Sequence, residues 1–222
     1  SENVTNIYLN DLNKPGMITD AAWADYDGDQ DPDLILVGEW MNIRVFRNDN
    51  GTFTDATGST GMGLTSGWWN SIEISDVDND GDLDLIAGNL GLNSILKASV
   101  KEPVLMYLQD FDNNGSLDQV ICSYQNGVSY PVASLDELFR QINGLEKKFP
   151  KYSDFGGKTV FDIFGKDVEH ALIKKAVLFE SCLFLNDGQG HFDIRKLPVL
   201  AQFSPVRDIL ARDLDHDGNT DL

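Results

Sequence analysis

The sequence predicts an all-β protein: a partial β-propeller of about three four-stranded blades plus incomplete ends, with a helical insertion. Three observations predict it. An acidic loop recurs four times, as "DYDGDQDPDL" from Asp25, "DVDNDGDLDL" from Asp76, "DFDNNGSLDQ" from Asp110 and "DLDHDGNTDL" from Asp213. Short apolar or alternating runs, the mark of strands, flank these loops. The stretches "NIRVFRNDNGTF" at 42–53 and "SCLFLNDGQGHF" at 181–192 both end in an Asn-Asp-Gly type hairpin signal followed by an aromatic residue. Self-similarity of this kind points to one supersecondary unit used repeatedly. Strand, acidic loop, strand, strand, turn, strand is an antiparallel meander, and meanders with little helix between them favour radial stacking with only short exposed edges.

Taken in order, "NIYLND" near the start reads as a third strand, so an earlier blade is only partly present. The first complete blade runs from "TDAAWA" through the loop at 25–33 and "LILVG" to the hairpin at 42–53. The second opens with "NSIEIS", the loop at 76–84 and "LIAGN", but is thin, because little separates "GLNSILK" from the next strand, "VLMYLQ". The third follows with the loop at 110–118 and "QVICSY", and "SCLFLNDGQGHF" is expected to supply its outer strands after the insertion. The chain ends just after the fourth loop, where an inner strand should begin. We therefore expect residues 1–222 to form a single propeller fragment, open unless another segment completes it and belonging to a longer polypeptide.

Residues 134–178 change character. Ser134 with Glu137 three residues on forms a capping box. Leu135, Leu138, Phe139 and Ile142 then share one helical face, and a second helix fits Val168 to Ala176. Seven of the chain's lysines fall in this segment, which is expected to interrupt the third blade between its second and third strands.

The charge balance, 17 Lys and Arg against 36 Asp and Glu for a net −19, repels phosphate backbones and anionic headgroups. Nucleic acid is therefore not an expected partner. No apolar run is long enough to span a bilayer. Cys122 and Cys182 lack metal-ligand spacing and lie in apolar strand-like runs, where a buried thiol is expected.

The acidic loops fit a hard cation. Ca²⁺ takes six to eight oxygen ligands, and alternate loop positions converge on one centre while the intervening side chains diverge. No His or Cys joins the pattern as a softer metal would require. "GWWNSIEISDVDNDGDLDLIAGNLGLN" and "RVFRNDNGTFTDAT" resemble the FG-GAP/VCBS repeat family, the propeller type also found in the head of integrin α subunits. They resemble especially the bacterial secreted branch related to cartilage acidic protein.

The resemblance implies Ca²⁺ as cofactor, with a closing carboxylate at the ninth loop position, at the start of the next strand. The implied ligands are Asp25, Asp27, Asp29 and Asp33; Asp76, Asp78, Asp80 and Asp84; Asp110, Asp112, Asn114 and Asp118; and Asp213, Asp215, Asp217 and Asp221. Backbone carbonyls at the seventh position would come from Asp31, Asp82, Ser116 and Asn219. Asn114 lowers the ligand charge of the third loop. In the first, glycine is displaced to Gly28 and Gln30 takes the sixth position, which puts the turn geometry in question. The resemblance further implies an extracellular, periplasmic or cell-surface location.

In a meander blade the calcium loops share one face. Trp40, Trp68, Trp69 and Asn70 belong to the opposite one, either packing the channel and insert or forming a platform for a sugar ring or protein segment. No catalytic constellation stands out. The expected function is a non-catalytic calcium-binding interaction module with a protein or glycan ligand. The alternatives are a polysaccharide-active hydrolase or lyase and a purely structural domain of a larger surface protein.

Overall fold

A computed structural model of the chain describes residues 14–222; the strand expected at "NIYLND" lies outside them. The described residues are mostly β, in three antiparallel sheets, none of which closes on itself. The chain divides into two compact units, one comprising the described residues up to Ile95 with Leu178–Leu222, the other Leu96–Val177.

The first unit holds two sheets. Strands β1 (Met17–Ala24), β2 (Asp33–Met41), β3 (Arg44–Asp49) and β4 (Thr52–Asp55) follow one another as the expected meander, and β5 (Gly67–Trp68) pairs with the far end of β2. Strand β2, "DLILVGEWM", is apolar without alternation because it is covered on both faces. The second sheet begins with β6 (Ser71–Ser75) and β7 (Asp84–Gly88). Its remaining strands are β12 (Cys182–Asn186) and β13 (Phe192–Lys196), with Cys182 opposite Ala87 and Phe184 opposite Leu85. Both sheets feed one core, in which Ile35, Val37, Val45, Leu85, Ala87, Phe184 and Trp69 are fully enclosed.

This order corrects the blade assignment. "SCLFLN" does have the role of "NIRVFRN", but it completes the sheet of the second loop, not the third. Strand pairing follows side-chain hydrogen bonds and register, and these connect Asn186 to Asp84 across the whole intervening segment. The sheet of the second loop reads as thin in the sequence because its outer strands arrive only after Leu96–Val177.

The second unit, Leu96–Val177, is larger than the segment 134–178 expected as a helical insertion, which it contains except for its last residue, and it is more than helical. Strands β8 (Val104–Gln109), β9 (Asp118–Gln125) and β10 (Val128–Pro131) carry the third loop, and β11 (Leu172–Ala176) returns to pair with β8, giving the order β10-β9-β8-β11. Between β10 and β11 run α1 (Leu135–Gln141), α2 (Leu145–Lys148), α3 (Tyr152–Phe155) and α4 (Val160–Phe164), then a 3₁₀ turn, Gly165–His170. The capping box forms as expected: Ser134 N–H donates to Glu137 Oε2 at 2.7 Å, and Glu137 N–H returns to Ser134 Oγ at 3.4 Å.

The helix expected over 168–176 does not form; Lys174 sits opposite Met106 as a strand residue. Val168, Leu172 and Ala176 keep helical spacing, but an open edge of β8 offers that stretch a full ladder of backbone bonds. Leu135, Leu138, Ile142, Leu145 and Phe164 pack on Leu105, Tyr107, Val120 and Cys122, so the helices cover one face of their own unit's sheet.

Candidate metal centres

Three acidic loops join neighbouring strands of a sheet and the fourth spans the isolated bridge between Arg212 and Asp221, and the side chains of each loop build it. The first-position carboxylate accepts amide hydrogens from across the loop: Asp76 from Asp80 and Gly81 at 3.2 and 3.1 Å, Asp110 from Asn114 and Gly115 at 2.9 and 2.8 Å, Asp213 from Asp217 and Gly218 at 3.2 and 3.1 Å. Asp25 does the same for Gln30 at 2.9 Å. Gln30 takes a left-handed φ of 74°, like Gly81, Gly115 and Gly218 at the same position, so the first loop keeps the common turn without glycine there. That conformation costs a non-glycine residue about 1 kcal/mol.

A second left-handed position falls at the fourth residue, Gly28, Asn79, Asn113 or His216. The sequence signals it through Asn and Gly, which enter this region most readily. His216 therefore has a conformational role.

Asp33, Asp84 and Asp118, at the ninth position, are the most enclosed loop carboxylates, and the first two do two jobs. Asp33 accepts from Tyr26 N–H at 3.1 Å with one oxygen and from Asn48 N–H at 2.8 Å with the other. Asp84 repeats this with Val77 and Asn186, both at 2.9 Å. Asp118 and Asp221 accept from Phe111 and Leu214, again at 2.9 Å. Asn48 and Asn186 return their side-chain amides to the carbonyls of Pro32 and Leu83 and cap the glycines of their own hairpin turns. Sequence reasoning read these asparagines as turn formers and missed that they lock the loop's closing residue. Their recurrence before Asp and Gly is the signal that could have found it.

Carboxylate oxygens converge in all four loops. Asp25, Asp27 and Asp29; Asp76, Asp78 and Asp84; Asp110, Asp112 and Asp118; and Asp213, Asp215 and Asp221 each bring ligand atoms within 4.8 Å of one another. At the fifth position Asp80 and Asp217 stand outside these triplets, and they, like Asn114, turn an oxygen to the N–H two residues on, that of Asp82, Asn219 and Ser116 at 3.0, 2.8 and 2.8 Å. Asp29 makes the same bond to Asp31 at 2.9 Å, yet joins its triplet in place of Asp33. Asp31 also reaches the hairpin turn, accepting from Asn50 N–H at 2.7 Å.

Such crowding is electrostatically unfavourable. Burial pushes the Asp33 carboxyl up to about 6 against its two amide donors, and burial likewise raises Asp84, Asp118 and Asp27. Asp25 Oδ1 and Asp27 Oδ1 are buried without a hydrogen-bond partner among the described residues, beside a polar cleft of about 270 Å³ that Asp82 also lines. Orphaned carboxylate oxygens in an all-oxygen donor set fit a hard cation.

The tryptophan platform is not what its residues form. Trp69 is fully enclosed, with Nε1–H donating to Thr65 O at 2.8 Å and its ring against Phe184. Trp40 is 7% exposed and packs on Trp68, which continues onto Phe179. Asn70 donates a side-chain amide hydrogen to the Trp68 carbonyl. An aromatic run beside a core strand is a large apolar payload, and here burial takes it. The most exposed tryptophan is Trp23, at 59%. Cys122 and Cys182 are free and buried, with burial pushing both thiols up to about 12.

Antiparallel sheets whose strands are joined by three carboxylate-lined loops, each closed by an aspartate at the next strand, with a fourth such loop closed at a single bridge, define a repeat protein of acidic-loop hairpins. Residues 25–87, spanning the first loop, strands β2 to β5, the second loop and the strands β6 and most of β7 that flank it, match the family model described as FG-GAP-like repeat. The chain thus carries an FG-GAP-like repeat. No curated protein and no solved structure matches it.

Proposed function

We propose that the chain is a calcium-stabilised FG-GAP-type module of propeller architecture, serving interaction outside the cell and not catalysis. The observation that carries this is the fourfold convergence of carboxylate oxygens within 4.8 Å in loops whose closing aspartates are already committed to the sheet. Asp76, Asp78 and Asp84 would hold one ion, with the corresponding residues of the other loops holding theirs. Bound calcium supplies the positive charge that lets these carboxylates stay ionised and close together. Asp80 and Asp217 add charge at the fifth position, where the third loop has neutral Asn114.

Sites of this kind on extracellular modules have affinities suited to millimolar calcium, which supports an extracellular or periplasmic setting. Among the described residues no helix is long and apolar enough to cross a membrane. A protein or glycan is the proposed ligand class.

A calcium titration followed by thermal melting tests the reading. An ion that binds only the native state at 100 times its Kd adds about 2.7 kcal/mol. The melting temperature should therefore rise with calcium and fall on chelation. Identical melts in calcium and in chelator would refute it.

A further inference from the structure

The loop at 110–118 differs from its counterparts in what holds its third residue. Asp112 Oδ2 accepts two hydrogen bonds from Asn143, from the backbone N–H at 2.8 Å and from Nδ2 at 2.7 Å. Asn143 lies 31 residues away, in the turn between α1 and α2. Asp112 Oδ1 also accepts from Asn114 N–H at 3.1 Å inside its own loop, the bond that the equivalent Asp215 makes with Asp217 at 3.1 Å, so the Asn143 bonds are what the third loop adds.

Asn143 is itself held. Ile142 before it is 1% exposed in the unit's apolar cluster, and Gly144 after it opens α2 with a φ of 87°. The neighbouring loop residue makes a second tie: Phe111 stacks on Phe164 of α4 with ring centroids 4.0 Å apart, while its N–H donates to Asp118 Oδ2. Consecutive residues Asp110, Phe111 and Asp112 thus alternate between the carboxylate cluster and the helical cap. This is also the loop with the least charge, since Asn114 and Ser116 stand where the second loop has Asp80 and Asp82.

We propose that Asn143 is a positioning residue for a cation in the 110–118 loop, and that filling this loop orders the helical segment Leu135–His170. The inference rests on the calcium reading above. A carboxylate already held by two donors from a packed turn loses less freedom when it ligates, and outer partners of this kind tune metal affinity. The coupling is reciprocal: an ion that favours this arrangement of Asp112 must equally favour the helical turn that supplies it.

Hydrogen exchange on the full chain, titrated with calcium and read peptide by peptide, tests this. Peptides over 104–125 report the loop, those over 135–170 the helical cap. Calcium should slow exchange in both with a common midpoint. Asn143→Ala, which keeps the backbone donor and removes the amide, should weaken that midpoint about tenfold. It should also remove the calcium-dependent slowing of 135–148, while the loops at 76–84 and 213–221 keep their midpoints. A helical cap indifferent to calcium, or an unchanged midpoint in the variant, overturns the coupling. If the variant fails to fold, coincidence of the two wild-type midpoints decides. If no loop responds, the calcium reading itself falls; if the loops at 76–84 and 213–221 respond and the cap does not, the coupling alone falls.

Discussion

Asp84 holds two backbone N–H groups that would otherwise be buried without partners, one in its own loop and one on β12. Removing it leaves both donors unsatisfied, at about 1–3 kcal/mol each. Asp84→Ala should therefore lower stability by a few kcal/mol even in chelator, measured by urea denaturation. Asp80→Ala, whose carboxylate bonds one exposed loop amide, should show its loss mainly in calcium. Equal losses for both under chelation would contradict the division of labour between the ninth and fifth positions.

Asp33, the counterpart of Asp84 in the first loop, makes that loop sensitive to protons. Its carboxyl titrates near 6 in the ion-free fold, against about 3.9 in an unfolded chain. A raised folded value means the native state binds the proton more tightly. Its stabilising contribution is complete below about 3.9 and is lost as pH rises through about 6. Acidifying the calcium-free protein from pH 7 to pH 5 should thus raise this group's contribution to stability. The same change should shrink the calcium-induced rise in melting temperature, because protons and cation compete for the carboxylates. Paired melts at the two pH values, with and without calcium, read both effects.

At the scale of elements, the two sheets of the first unit meet through rings and branched chains supplied from distant parts of the sequence. Phe184 is fully enclosed on β12 and packs against Trp69. Phe184→Ala should cost about 3–5 kcal/mol, measured as a shifted denaturation midpoint. Close backbone approach matters at Gly88, the last residue of β7, where an added Cβ would lie 2.4 Å from the Val206 carbonyl. Gly88→Ala should cost about 1–3 kcal/mol through the forced displacement, read in the same assay.

Much of this is legible in the sequence. Loop spacing, the alternation of "SIEIS" and the Asn-Asp-Gly turns are local signals, and the elements they specify form as expected. The propensity of Leu172–Ala176 is ambiguous, and the free edge of β8 decides it. Trp40 and Trp69 could have served a surface as well as a core, and only their packing, on Trp68 and Phe184 respectively, distinguishes the two. Partner choice is the least legible feature. Nothing local says that "SCLFLN" returns to "LIAGN" past a nearer sheet, since that choice resides in Asp84, Asn186 and a register spread over both strands.

For the molecule as a whole, the insertion has closely spaced roots. Gly91 N–H donates to Phe179 O at 2.8 Å, and the Asn89 side chain bonds the carbonyls of Leu178 and Glu180 at 3.0 and 3.2 Å. The stretches of the first unit on either side of the insertion, 89–91 and 178–180, are thereby held together by the first unit's own hydrogen bonds. Replacing Leu96–Val177 by a short glycine linker should leave the first unit folding cooperatively, because loop closure across such neighbouring ends costs little. Far-ultraviolet circular dichroism and a single melting transition would verify it; a chain without a cooperative transition would show that the first unit depends on its insert.

The bond between Asp84 and Asn186 spans 102 residues. During synthesis β6 and β7 emerge with their partner strand still unmade. At about 5–20 residues per second, the ribosome delivers it roughly 5–20 s later. For that interval the second hairpin is a nascent half-sheet with an unprotected edge, so the order of translation, as much as the final packing, governs when this protein is most exposed to mispairing.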